Sequence, residues 1–158
     1  MSSKPALCSL TEWSIVHVRN IFEASSDEEA LRAIMETFSP TVSATLNGSP
    51  LPREGIDKLV LAMRQGGRSD GVGNGLKVHW KHTVEVPING STNRDGSFGG
   101  VYIISGLKKT SPGSDRPTNF SRHKTVTVNI ESQSSDLHTD SRRIVNLVFV
   151  ASDVQDQT

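Results

Sequence analysis

In the stretch LKVHWKHTVEVPI, Leu76, Val78, Trp80, Val84, Val86 and Ile88 share one parity, and His82 is the polar member of that set. A strand sends alternate side chains to opposite faces, so this register aims His82 at a core or a cavity beside Trp80. A neutral imidazole can take and give a proton near pH 7, and an apolar wall lowers its pKa and keeps it neutral. That chemistry suits a general base for enolisation or dehydration. The alternative is a core histidine whose ring nitrogens bond a backbone carbonyl or water. His17 is the second candidate and Tyr102, the sole tyrosine, the third, since a phenol in a cavity can polarise a carbonyl. Periodicity leaves the face of Tyr102 open, with Val101, Ile103 and Leu107 on one side and Tyr102, Ile104 and Gly106 on the other.

Other chemistries find no support. Cys8 is the only cysteine and sits in an expected mobile N-terminal segment, and neither a Gly-x-Ser-x-Gly elbow nor His-Glu-x-x-His spacing occurs, so no metal or cofactor is expected. The glycine-rich GRSDGVGNG, residues 67–75, precedes a strand and offers no helix N-terminus to a phosphate, so it reads as a flexible loop. Seventeen basic and seventeen acidic residues cancel, which argues against nucleic acid or a membrane surface as partner. Lys108, Lys109, Arg116, Arg122 and Lys124 form the one basic cluster, expected to be a solvated strand-end patch. The first residues lack the apolar core of a signal peptide, and no run of eighteen apolar residues occurs, so a soluble, cytoplasmic protein is expected.

The elements that must position these residues fall in two blocks. Ser9 with Glu12 and Ser26 with Glu29 have capping-box spacing. The first predicted helix runs to about Ala24 and turns Trp13, Ile15, His17, Val18, Ile21 and Phe22 to one arc; the second carries Leu31, Ile34, Met35 and Phe38 at helical spacing and ends at Pro40. A short β segment, Thr41 to Leu46, closes on an Asn47-Gly48 turn, and Pro52 opens a third helix with Ile56, Leu59, Val60 and Met63 on one face. Four strands follow, at 76–88, 98–109, 122–133 and 142–153, separated by turn formers, and consecutive antiparallel pairing is the simplest topology. Helices followed by strands predict an α+β domain spanning 1–158, with 1–8 and 153–158 flexible.

This order, with the phrases FSPTVSATLNGSPLPREGIDKLV, LKVHWKHTVEVPI and RRIVNLVFVASD, resembles the nuclear transport factor 2-like superfamily and especially its SnoaL-like, polyketide-cyclase branch. The resemblance implies a cone, in which a curved antiparallel or mixed sheet wraps around about three N-terminal helices and encloses an apolar cavity. It implies a small hydrophobic ligand, frequent dimerisation through sheet faces, and either cofactor-free isomerase, dehydratase or cyclase chemistry or a binding module without chemistry. The catalytic candidates are then His82, His17 and Tyr102, and the ligand-binding candidates Trp80, His82, Trp13, Phe38 and Met63. One departure weighs against catalysis. The enzymatic branches rely on aspartate, and here Asp95, Asp136 and Asp140 lie in loops and Asp153 at a strand end, while Glu131 shares parity with His123, Thr125, Thr127 and Asn129. In the last strand both Val148 and its alternate-face neighbour Phe149 are apolar, so a homodimer burying one of them is expected.

Overall fold

The computed structural model describes residues 7–67, 75–110, 112–113 and 115–156, which form three helices and one six-stranded sheet. Local capping chemistry sets the helix starts. In α1 (Leu10–Phe22) the Ser9 hydroxyl accepts the Glu12 N–H at 3.0 Å, and in α2 (Asp27–Thr37) Ser26 accepts the Glu29 N–H at 3.1 Å. The third helix, α3 (Arg53–Gly66), follows Pro52 and buries Ile56, Val60 and Met63. Helix α2 is shorter than expected. Phe38 already belongs to β1 (Phe38–Leu46), and Met35 points to solvent at 68% exposure, so the buried stripe of α2 is Ala30, Ala33, Ile34 and Thr37. No helix among the described residues is long and apolar enough to cross a membrane.

The remaining strands are β2 (Ser49–Leu51), β3 (Lys77–Pro87), β4 (Gly96–Thr110), β5 (Pro117–Ser132) and β6 (Arg142–Gln155), in the sheet order β2-β1-β6-β5-β4-β3. The four long strands pair consecutively and antiparallel, as their spacing predicts. Strand β1 adds a parallel pairing to β6, and the left-handed Asn47-Gly48 turn (φ 50° and 83°) brings in β2, which makes the sheet mixed. Both ends of the described chain are tied down further than expected. Gln155 pairs with Phe120 and Val154 with Ser121, so 153–155 is strand, and the Leu7 N–H donates to the Thr92 carbonyl. Most of the glycine-rich segment expected to be a loop, residues 68–74, lies outside the described residues.

The strict alternation expected of β3 fails at one residue. Trp80 pairs with Tyr102, but the next registered pair is His82 with Val101, so Lys81 is the extra residue of a β-bulge and parity inverts beyond it. Upstream, Val78 and Trp80 turn inward; downstream, His82, Val84 and Val86 turn outward, the two valines 65% and 67% exposed. The expectation that His82 faces the interior is therefore wrong, because period-2 reasoning carries no information about an inserted residue. Glu85 takes the inward position instead, opposite Phe98, and its carboxylate accepts the Leu10 N–H at 3.2 Å. At the other end of α1 the Glu23 carboxylate accepts the Val78 N–H at 2.9 Å, so the edge strand is fastened to both ends of one helix.

Two buried arginines complete the frame. Arg64 on α3 donates to Asp27 at 3.0 Å and to the carbonyls of Phe22 and Ala24 at 3.3 and 2.8 Å, locking the α1–α2 turn. Arg142 binds both carboxylate oxygens of Asp140, the carbonyls of Cys8 and Asn93, and the Cys8 sulfur at 3.2 Å, and lies over the Trp13 ring. Cys8 is thus held in place, which corrects the expectation of a mobile segment there.

Opposite the bulge, Gly100 leaves room for the Trp80 indole: a Cβ there would lie 2.7 Å from Trp80 Cζ3 and 3.0 Å from the His82 carbonyl oxygen. Gly100→Ala is expected to push the indole out of register and cost about 1–3 kcal/mol in urea denaturation, with a shifted tryptophan emission. An unchanged midpoint and spectrum would show that the indole has slack.

Candidate functional site

The concave face of the sheet, with helices α1 and α3, borders a cavity of about 50 Å³. Helix α1 supplies Ser14 and Phe22 to its wall, α3 supplies Leu59, β3 Trp80, β4 Tyr102, β5 Lys124 and β6 Phe149, and the remaining lining is aliphatic or phenylalanine. A second, more polar cleft of about 220 Å³, bordered by Asn47, Arg122, Ser152 and Asp153, shares Leu59, Lys124 and Phe149 with it. Lys124 therefore stands where the apolar chamber meets its mouth.

Two polar groups of the residues lining the chamber lack partners. Ser14 Oγ and Trp80 Nε1 are buried and have no hydrogen-bond partner among the described residues. Each unmet donor costs about 1–3 kcal/mol, which is why so few survive in folded proteins. Lys124 is 4% exposed, and no ion pair reaches its ammonium among the described residues. The rings of Phe22, Phe149 and Tyr102 surround it at 4.8, 5.1 and 5.6 Å from Nζ, which offsets part of the desolvation. Burial, and secondarily the charge of Arg122, bring its pKa down to about 7, with Asp153 opposing. Asp153 is engaged elsewhere, accepting from Arg122 at 2.7 and 3.2 Å. The same burial pushes the Tyr102 phenol well above its ordinary value, so it stays a neutral donor.

The sequence candidates divide cleanly. Tyr102, Trp80 and Phe38 line the cavity, with the Trp80 and Tyr102 rings 4.6 Å apart. His82 lies on the opposite face of the sheet, exposed to solvent. His17 is half-buried outside the lining; its Nδ1 lies 2.7 Å from the Trp13 carbonyl and its ring stacks on Trp13 at 4.1 Å. Burial lowers the His17 pKa, but the ring serves packing around Arg142. Trp13 and Met63 belong to the core and do not border the cavity.

Lys124 is the residue that sequence reasoning missed. Its charge groups it with its basic neighbours, whereas its parity with Val126, Val128 and Ile130 marks the inner face. Alternation in β5 is unbroken from Lys124 to Ile130, so the signal was there to find.

No protein-family model matches the chain, and no curated protein matches it in sequence. Solved structures share its architecture. A SnoaL-like family protein from Agrobacterium tumefaciens superposes with a TM-score of 0.52 at 12% identity, over 87% of this chain and 93% of that one. A nuclear transport factor 2-like protein of unknown function from Pseudomonas aeruginosa gives 0.53 at 12% identity, covering 90% and 94%. A chain of the C. albicans Mtr2–Mex67 M domain complex gives 0.54 at 10% identity, covering 94% and 96%. The protein thus has the nuclear transport factor 2-like α+β fold, a scaffold that fixes no single function.

The buried lysine leaves a signature in stability against pH. In the unfolded chain the amine holds its proton up to its ordinary value of 10.5, whereas in the folded chain it releases it near 7. Between those values the unfolded state binds more protons, so stability rises with pH, by at most about 1.4 kcal/mol per unit; below the folded value both states are protonated and the full cost of burying charge is present. Lys124→Met is therefore expected to exceed wild type in stability at neutral and acid pH, with the difference shrinking as pH rises from 7 toward 10.5. Parallel stability curves in urea titrations would show that the ammonium is solvated.

Proposed function

We propose that the protein binds a small, largely apolar molecule carrying one acceptor group, a carbonyl or carboxylate, with that group directed at Lys124. The carrying observation is an apolar chamber whose few polar residues, Ser14, Trp80, Tyr102 and Lys124, each bring a group able to donate, with Ser14 Oγ and Trp80 Nε1 unpartnered among the described residues and no carboxylate in the lining. Chamber and cleft together fall below the roughly 300–1,000 Å³ of sites for drug-sized ligands, so the occupant is compact. The cofactor-free proton transfer expected of His82 loses its geometry on the outer face. Within the cavity, the group that exchanges a proton near neutral pH is Lys124, with Tyr102 as a neutral donor beside it. The fold shared with a SnoaL-like protein supports such a use of the cavity.

In a Trp13→Phe background, which leaves Trp80 as the sole tryptophan, titration with butanoate or butanone is expected to change the emission saturably. Lys124→Met should abolish the butanoate response. A flat titration at millimolar concentrations of both compounds would overturn the binding function.

A second observation favours self-association. The outer face of the sheet carries His82, Val101, Thr125 and Val150 in one row, then Val84, Gly99, Thr127, Val148 and Thr45, then Val86, Ser97, Asn129, Asn146 and Ser43. These rows hold no Asp, Glu, Lys or Arg, in a chain that is 22% charged. A second copy would meet no like charge there, and β-branched side chains would bury against their counterparts. Of the two residues expected at a dimer contact, Val148 is 48% exposed and Phe149 is in the cavity wall. Sedimentation equilibrium is expected to give twice the chain mass of 17.1 kDa, and Val148→Glu to return the single mass. A wild-type monomer at tens of micromolar would refute the contact.

A further inference from the structure

We infer that Lys124 is a nucleophilic amine that condenses with a small apolar aldehyde or ketone held in the cavity. The inference rests on the proposed binding function and adds a covalent step to it. Three geometric facts support it. The amine has no ion pair and no hydrogen bond among the described residues to sequester its lone pair. It borders both the chamber and the open cleft, so a carbonyl compound entering from solvent passes it. And Ser14 Oγ and Trp80 Nε1, unpartnered in the same lining, are available to a carbonyl oxygen.

The step balances with no external oxidant or reductant. The Nζ lone pair adds to the carbonyl carbon, forming C–N while the C=O π electrons move to oxygen, and a proton passes from nitrogen to oxygen to give the carbinolamine. The C–O bond then breaks, the oxygen leaves as water with one further proton from solvent, and C=N forms as a protonated imine. The amine and the carbinolamine are neutral, and the protonated imine regains the single positive charge of the lysine ammonium, which the rings of Phe22, Tyr102 and Phe149 can again face. The charged and titratable groups facing the amine are Arg122 on its own strand, Asp153 on β6 and the Tyr102 phenol on β4. Arg122 favours the free amine, Asp153 opposes it while paired to Arg122, and the neutral phenol adds no charge. With a lysine pKa near 7, about half the chains carry a free amine at neutral pH, against roughly one in three thousand for a solvated lysine.

The test uses the full native chain with propanal and sodium cyanoborohydride at neutral pH, followed by peptide mapping. Propylation of Lys124 is expected at least about tenfold faster than at the exposed Lys58 and Lys77, and to vanish from that peptide in Lys124→Arg. Trace acetylation of wild type, which needs no variant, should give the same ranking. Labelling of Lys124 at or below the rate of Lys58 overturns the inference. If the Trp80 emission still responds to butanone in that case, condensation falls and binding stands; if neither signal appears, both fall.

Discussion

The way β3 divides its side chains between the two faces of the sheet depends on one inserted residue. Lys81 interrupts the pairing of β3 with β4, and the inversion that follows sends Glu85 to the N-terminus of α1 while Val84 and Val86 go to the outside. Without it, an unbroken strand would place a carboxylate in solvent and two valines beneath the helix, and α1 would lose the acceptor for its first N–H. The bulge thus couples the seating of α1 to the composition of the outer face. Gly100 is its counterpart on β4, leaving space for the indole on the last residue before the inversion.

The chain handles buried cations in two ways, and the contrast marks the site. Arg64 and Arg142 are almost inaccessible, yet each guanidinium is held by a carboxylate and two carbonyls. They join segments far apart in sequence, and removing one would leave its acceptors stranded. Arg142 and its charge also hold the Asp140 carboxyl below its usual range, although burial alone would raise it. Lys124 is buried too, but rings surround its ammonium and no ion pair reaches it among the described residues, so its environment favours loss of charge over pairing. Perturbed ionisation in a concave apolar setting is the pattern that accompanies binding and catalysis.

How much could be read from sequence follows from how local each signal is. Ser9 and Ser26 announce their helices within four residues, and the turn formers between the long strands mark their number and order. The parallel joining of β1 to β6 was not legible, since it pairs Phe38 with Ile144 across most of the chain. Nor was the bulge, because an alternating string looks the same with or without one residue out of register. Lys124 was legible but misread: its charge suggested solvent while its parity said interior. For Tyr102 the face was open in sequence, and it was settled by the pairing with Trp80 that the bulge permits.

Strand β3 lies at the end of the sheet, with one side of its backbone unpaired by any other strand among the described residues. Such an edge is a template on which another chain can extend the sheet without limit. The extra residue at Lys81 breaks the spacing of its free N–H and C=O groups, Lys77 and Lys81 add charge along it, and Pro87 ends it without a donor. The same irregularity that turns Val84 and Val86 to the outer face also blunts the rim of the sheet against pairing edge to edge with another chain.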